Sequence, residues 1–129
     1  MFNLIPMDIL RIAEILTALV AIEHIYILWM EMFAWETVGK RTFRSLPKDL
    51  FKPTKGLAAN QVLYNGFLAA GLIWTFFINE ANWAANIRIF FLGCVIVAGV
   101  FGALTAAKKI FVVQAAPAIL ALIFVILSC

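Results

Sequence analysis

Charge is what this 129-residue sequence has least of: 13% of its residues are Asp, Glu, Lys or Arg, against about a quarter in an ordinary soluble domain. Histidine occurs once, at His24, and cysteine twice, at Cys94 and Cys129. A single histidine excludes the HExxH zinc signature, and the chain has neither a GxSxG nucleophile elbow nor a glycine-rich phosphate loop. Two cysteines so far apart form no zinc spacing and no disulfide framework, so both read as packing residues. No basic segment precedes the first apolar run and no small-residue cleavage site follows a short one, so no signal peptide is expected.

Apolar surface is what the chain has in abundance. Hydrophobic residues make up 65% of the sequence and the mean hydropathy is +1.03, which marks an integral membrane protein with the lipid bilayer as its first partner. The net charge of +3 is no nucleic-acid signature, because the basic residues sit beside apolar segments, where they report topology.

A membrane-spanning helix needs about 20 mostly apolar residues. Four segments qualify: about Met7 to Trp35, Leu57 to Ile78, Trp83 to Ala106 and Ile110 to Ser128. A loop over 36–56 joins the first two, and tight turns around Asn79–Asn82 and Ala107–Lys109 join the rest. Short turns force neighbouring helices antiparallel. The expected fold is all-α, an integral membrane antiparallel four-helix bundle forming a single transmembrane domain over 1–129. Lys40, Arg41, Arg44, Lys48, Lys52 and Lys55 lie in or beside the first loop, and Lys108 and Lys109 in the last turn. Both loops fall on one side of a four-span chain, so the positive-inside rule makes them cytoplasmic and puts both termini outside. Within the first loop Phe43, Leu46, Leu50 and Phe51 alternate with basic residues, which reads as an interfacial segment on anionic headgroups. Trp29, Trp35, Trp74 and Trp83 read as lipid or interface anchors.

The polar residues inside these spans need a separate reason. The stretch AIEHIYILWMEMF (Ala21 to Phe33) would suit hydrocarbon except for Glu23, His24 and Glu31. Such groups cost several kcal/mol at the bilayer centre unless neutralised, paired or hydrated, and they commonly mark proton or substrate paths. Glu31 follows His24 by seven residues, roughly 10 Å further along nearly the same face. Asn60, Gln61, Tyr64 and Asn65 have a spacing that puts them on one side of the second span, and antiparallel packing brings that side to the depth of Glu31. Gln114 enters from the fourth span, followed by Pro117, which frees a backbone carbonyl nearby. With Tyr26 as an aromatic wall, Glu23, His24, Tyr26, Glu31, Asn60, Gln61, Tyr64, Asn65 and Gln114 are the candidate ligand-binding residues of a shared polar cavity in the cytoplasmic half. Arg88, near the other end, is expected to pair with Glu14 or Glu80. Small residues on the last three spans allow close helix approach, and one such face suits a homodimer.

The runs EHIYILWMEMF, LAANQVLYNGFLAAGLIW (Leu57 to Trp74), GALT (Gly102 to Thr105) and VQAAPAILAL (Val113 to Leu122) resemble a family of small bacterial four-span membrane proteins known as domain of unknown function 1304. The resemblance covers nearly the whole chain. The family pattern has a glycine near Val62 and another where Ala115 or Ala116 stands. The resemblance implies a four-helix fold and a bacterial inner-membrane location, and no activity. A looser likeness to DoxX-like four-helix proteins rests on architecture alone.

Three readings of the polar cluster stay open. The first is binding or proton-linked transport of a small amphipathic molecule, since a carboxylate beside a histidine can exchange protons near neutral pH. The second is a membrane-embedded enzyme using Glu23 or His24 as general acid or base on a lipophilic substrate. The third is a hydrogen-bonded network that fixes helix register, in a subunit of a larger assembly. A catalytic zinc ion normally wants more nitrogen or sulfur ligands than His24 and two carboxylates supply, so no metal site is assigned and the cofactor is left open.

Overall fold

The computed structural model describes residues 6–129, and the chain is all-α. Four long helices form the body: α1 (Pro6–Phe33), α2 (Lys55–Trp74), α3 (Ala81–Thr105) and α4 (Lys108–Leu127). α1 packs along α2 and α4, and α3 packs against α4 and α2. Three of them, α1, α3 and α4, are long and apolar enough to cross a membrane. α2 has 20 residues, but Asn60, Gln61, Tyr64 and Asn65 dilute its apolar character.

Each helix buries one narrow stripe. On α1 the stripe runs Ala13, Thr17, Val20, His24 and Ile27, alternating steps of four and three as a bundle seam requires. Its two polar members are satisfied locally: the Thr17 hydroxyl donates to the Ala13 carbonyl at 2.7 Å, and the His24 ring bonds the Val20 carbonyl. Val20, Leu72, Leu92, Val95 and Val125 close the apolar core with Ala118 and Ala121. Small residues bring the helices together. Gly66 lies against the Leu28 side chain, and Gly99 lies against the backbone of Ala115.

Helix ends follow from local chemistry. The Glu80 carboxylate accepts from the backbone N–H groups of Asn82 and Trp83 at 3.1 and 2.8 Å, an N-cap for α3. Glu80 is therefore engaged at the helix terminus and does not pair with Arg88. At the end of α2 the Thr75 hydroxyl donates to the Leu72 carbonyl, and Thr75–Phe77 tighten into a 3-10 turn. In α4 residues Phe111–Ala115 form a π-helical turn two residues before Pro117. Proline lacks the N–H that would complete the ladder there, and the widened turn absorbs the defect.

The connection between α1 and α2 is folded upon itself. Trp35, Phe51 and Ala58 are buried together, with Phe43 and Leu46 packed against them. The Trp35 ring lies 4.7 Å from Phe51 and 5.6 Å from Phe43, and its indole N–H donates to the Thr54 hydroxyl at 3.1 Å. This corrects the reading of Trp35 and Phe51 as residues in contact with lipid. Both face a small aromatic core, because the loop can double back and offer each a ring to pack on. Lys109 donates to the Thr42 carbonyl at 2.7 Å, so the two basic segments meet at one end of the bundle.

Candidate functional site

His24 is 1% exposed and sits mid-way along the inner stripe of α1. Its Nδ1 is 2.9 Å from the Val20 carbonyl oxygen. A carbonyl only accepts, so Nδ1 carries the proton of that bond, and in the neutral ring Nε2 keeps a free lone pair. Glu23 precedes His24, and consecutive helical side chains diverge by about 100°. Glu23 is half-buried, and its Oε1 is sealed from the surface without a hydrogen-bond partner. That is the one buried side-chain polar atom left unsatisfied among the described residues. Glu31 is half-buried two turns further along the His24 side of α1.

No described basic side chain lies within ion-pairing distance of Glu23 or Glu31; the ion pair resolved is Lys55–Glu36 at 3.9 Å, outside α1. Among the described residues no three His, Cys, Asp or Glu side chains come close enough together to hold a metal ion.

The remaining candidates divide between inside and outside. On α2 the buried positions are Ala58, Val62, Ala69, Gly71 and Leu72, and half-buried Asn65 falls on the four-and-three repeat of Ala58, Val62, Ala69 and Leu72. Asn60, Gln61 and Tyr64 lie off that stripe and are exposed, as is Tyr26 on α1. Tyr26 packs on Trp29 with ring centroids 5.8 Å apart, and Tyr64 packs edge-on against Phe67 at 5.7 Å. Gln114 is half-buried within the π-helical turn of α4. The nine residues therefore do not share one enclosed cavity. Glu23, His24, Glu31, Asn65 and Gln114 are wholly or partly inside the bundle, whereas Tyr26, Asn60, Gln61 and Tyr64 present an outer polar and aromatic face. Spacing alone made the four α2 residues neighbours; the Ala58–Val62–Asn65–Ala69–Leu72 repeat decides which way each one turns.

Thr75 is the residue that sequence reasoning passed over. It is buried and accepts from Arg88 Nε at 2.9 Å, while Arg88 also lies over the Phe76 ring at 5.0 Å. A threonine next to two phenylalanines carries no sequence signal for this role, because the contact joins two helices across a turn.

Comparison with known proteins assigns the chain to a family and adds no activity. Residues 18–126 match the family described as protein of unknown function (DUF1304). The chain is similar to an uncharacterized protein, YpaA, of Lactococcus lactis subsp. lactis (strain IL1403). The two are 38% identical over 111 residues, which is 84% of this chain and 92% of the relative. No solved structure matches it. The chain belongs to the DUF1304 family, whose function is unknown.

Proposed function

We propose that the chain is a four-span protein of the bacterial inner membrane whose Glu23 and His24 bind, or carry with a linked proton, a small amphipathic cation. In this reading both basic segments are cytoplasmic and both termini lie outside. The observation that carries it is the unpartnered, sealed Glu23 Oε1 next to a histidine whose tautomer the Val20 carbonyl fixes. A carboxyl oxygen left without a partner in an apolar bundle is costly, and a residue kept only for packing would be apolar at lower cost. An incoming cation or proton satisfies that oxygen, and His24, the next residue on α1, offers a neutral Nε2 that can accept a proton. Glu31 extends the same polar line toward the basic end, where Arg41, Phe43, Arg44 and Lys109 line a cleft of about 460 Å³ suited to anionic headgroups.

Tetraphenylphosphonium, a lipophilic cation, is a suitable probe with the protein in nanodiscs and empty nanodiscs as the baseline. Glu23→Gln is expected to weaken its binding by about tenfold, the loss of one partly desolvated charge contact. Unchanged affinity in that variant contradicts the reading.

A second reading rests on the outer face of α2. Asn60, Gln61 and Tyr64 are exposed on α2, and among the described residues no hydrogen bond engages their amide and phenol groups. Carboxamides both donate and accept, so this face is complementary to itself and suits a second copy of the chain across a two-fold axis. The double variant Asn60→Leu with Gln61→Leu is expected to convert a dimer into a monomer in mild detergent, by light scattering. A monomeric wild-type protein under the same conditions rules the dimer out.

A further inference from the structure

The bundle end remote from the basic loop holds a charged cavity that the Glu23–His24 reading does not use. Arg88 lies roughly 10 Å into α3 from its start and is 5% exposed. One of its five N–H donors is committed among the described residues: Nε donates to Thr75, whose own hydroxyl hydrogen is held by the Leu72 carbonyl at 2.6 Å. The Thr75 oxygen can therefore only accept from Arg88, and with the Phe76 ring over one face the guanidinium plane is fixed. No hydrogen bond to its two terminal nitrogens is resolved among the described residues, and Arg88 lines a cavity of about 370 Å³, room for roughly a dozen waters.

Glu14 of α1 lines the same cavity, yet no ion pair closes between its carboxylate and Arg88 within 4.0 Å among the described residues. A buried guanidinium normally takes a carboxylate directly when one is at hand, in a forked two-bond contact. Here the cation and the anion instead face a common space with the Asn79 and Asn82 side chains at its rim and Leu10 and Ile78 as apolar wall. A positive and a negative pole held apart across a cavity are complementary to a molecule carrying both charges in the opposite order. The open fork of Arg88 matches two oxygens of a phosphate, and Glu14 matches an ammonium group.

We infer that this cavity binds a phosphoethanolamine group, its phosphate on Arg88 and its amine toward Glu14. The group can arrive as a phospholipid headgroup, the helix end lying where a spanning bundle meets the lipid headgroups, or as the free soluble compound. The site is independent of Glu23 and His24.

Phosphorus NMR on the purified full chain in a phosphate-free maltoside detergent tests it, with three probes: phosphoethanolamine, dihexanoyl phosphatidylethanolamine and dihexanoyl phosphatidate. At least one amine-bearing probe is expected to show a saturable shift. Saturation by the lipid form alone assigns the site to a headgroup, and saturation by the free compound assigns it to a soluble ligand. Arg88→Gln is expected to lower that affinity by about tenfold or more, as loss of a forked charged contact does. Glu14→Gln changes a half-buried residue for which no hydrogen bond is resolved among the described residues, and is expected to weaken the amine-bearing probes more than phosphatidate. That selectivity reads the site even if Arg88→Gln fails to fold. No saturable shift with either amine-bearing probe overturns the inference. So does a Glu14→Gln protein that weakens all three probes equally or none of them.

Discussion

Replacing Trp35 with alanine is expected to destabilise the protein by about 3–5 kcal/mol, the range for removing a large buried aromatic. The indole is 8% exposed and forms the centre of the cluster with Phe51, Phe43, Leu46 and Ala58. Gly39 sits directly beneath it, where an added Cβ would lie 2.9 Å from the ring, so neighbouring backbone is already in contact and cannot collapse into the space. The loop it organises carries Lys40, Arg41, Arg44, Lys48 and Lys52, so its opening is measurable as faster tryptic cleavage as well as a lower unfolding midpoint. Trp35→Phe keeps most of the packing and loses the bond to Thr54. It is expected to cost only about 1 kcal/mol, because the Thr54 hydroxyl still donates to the Leu50 carbonyl at 2.7 Å. A Trp35→Ala protein as stable and as protease-resistant as wild type contradicts the aromatic core of the loop.

The second large effect is expected at Gly99. A Cβ there would lie 2.8 Å from the Ala115 backbone nitrogen and 2.9 Å from its Cβ. Neither atom can swing aside as the tip of a long side chain can, so α3 and α4 must separate. Gly99→Ala is expected to cost about 1–3 kcal/mol, the usual price of overpacking, and Gly99→Leu more. Gly93, six residues earlier on α3, has open space where a Cβ would be added and no positive φ. Gly93→Ala is expected to be neutral or to stabilise by up to about 1 kcal/mol through helix propensity. Opposite signs for the same substitution on one helix, read from unfolding midpoints in detergent, separate close packing from propensity. Equal effects at both positions contradict the α3–α4 contact.

The contrast between these residues shows what a sequence of this kind makes legible. The all-α class follows from long apolar runs and scarce charge, since backbone groups in an apolar environment are satisfied within a helix. The buried stripe of α1 is legible as well, because His24 lies on the four-and-three repeat from Ala13 to Ile27. The rotation of α2 is not: Asn60, Gln61, Tyr64 and Asn65 fall on one side by spacing, and a rotation set by Ala58, Val62, Ala69 and Leu72 turns only Asn65 inward. Polar residues attract attention while the small apolar residues fix orientation. The loop core escaped for another reason. Trp35 meets Phe51 across 15 intervening residues, and nothing in the local pattern distinguishes a ring bound for lipid from one that finds another ring. Arg88 is legible as a charge near the other end of the bundle that needs a partner, but the partner is not: Glu80 is taken by the α3 N-terminus, and a threonine on the preceding turn accepts its hydrogen bond.

The central claim is that the unpartnered Glu23 carboxyl receives a cation or a proton within the bilayer. The most direct test is the tetraphenylphosphonium titration in nanodiscs, carried out at mildly acidic and mildly basic pH on wild type and Glu23→Gln. An ionised carboxylate attracts the probe and a protonated one does not, so wild-type affinity is expected to rise with pH, while Glu23→Gln binds weakly with a flatter dependence. Identical affinity and identical pH dependence in the two proteins would contradict the claim.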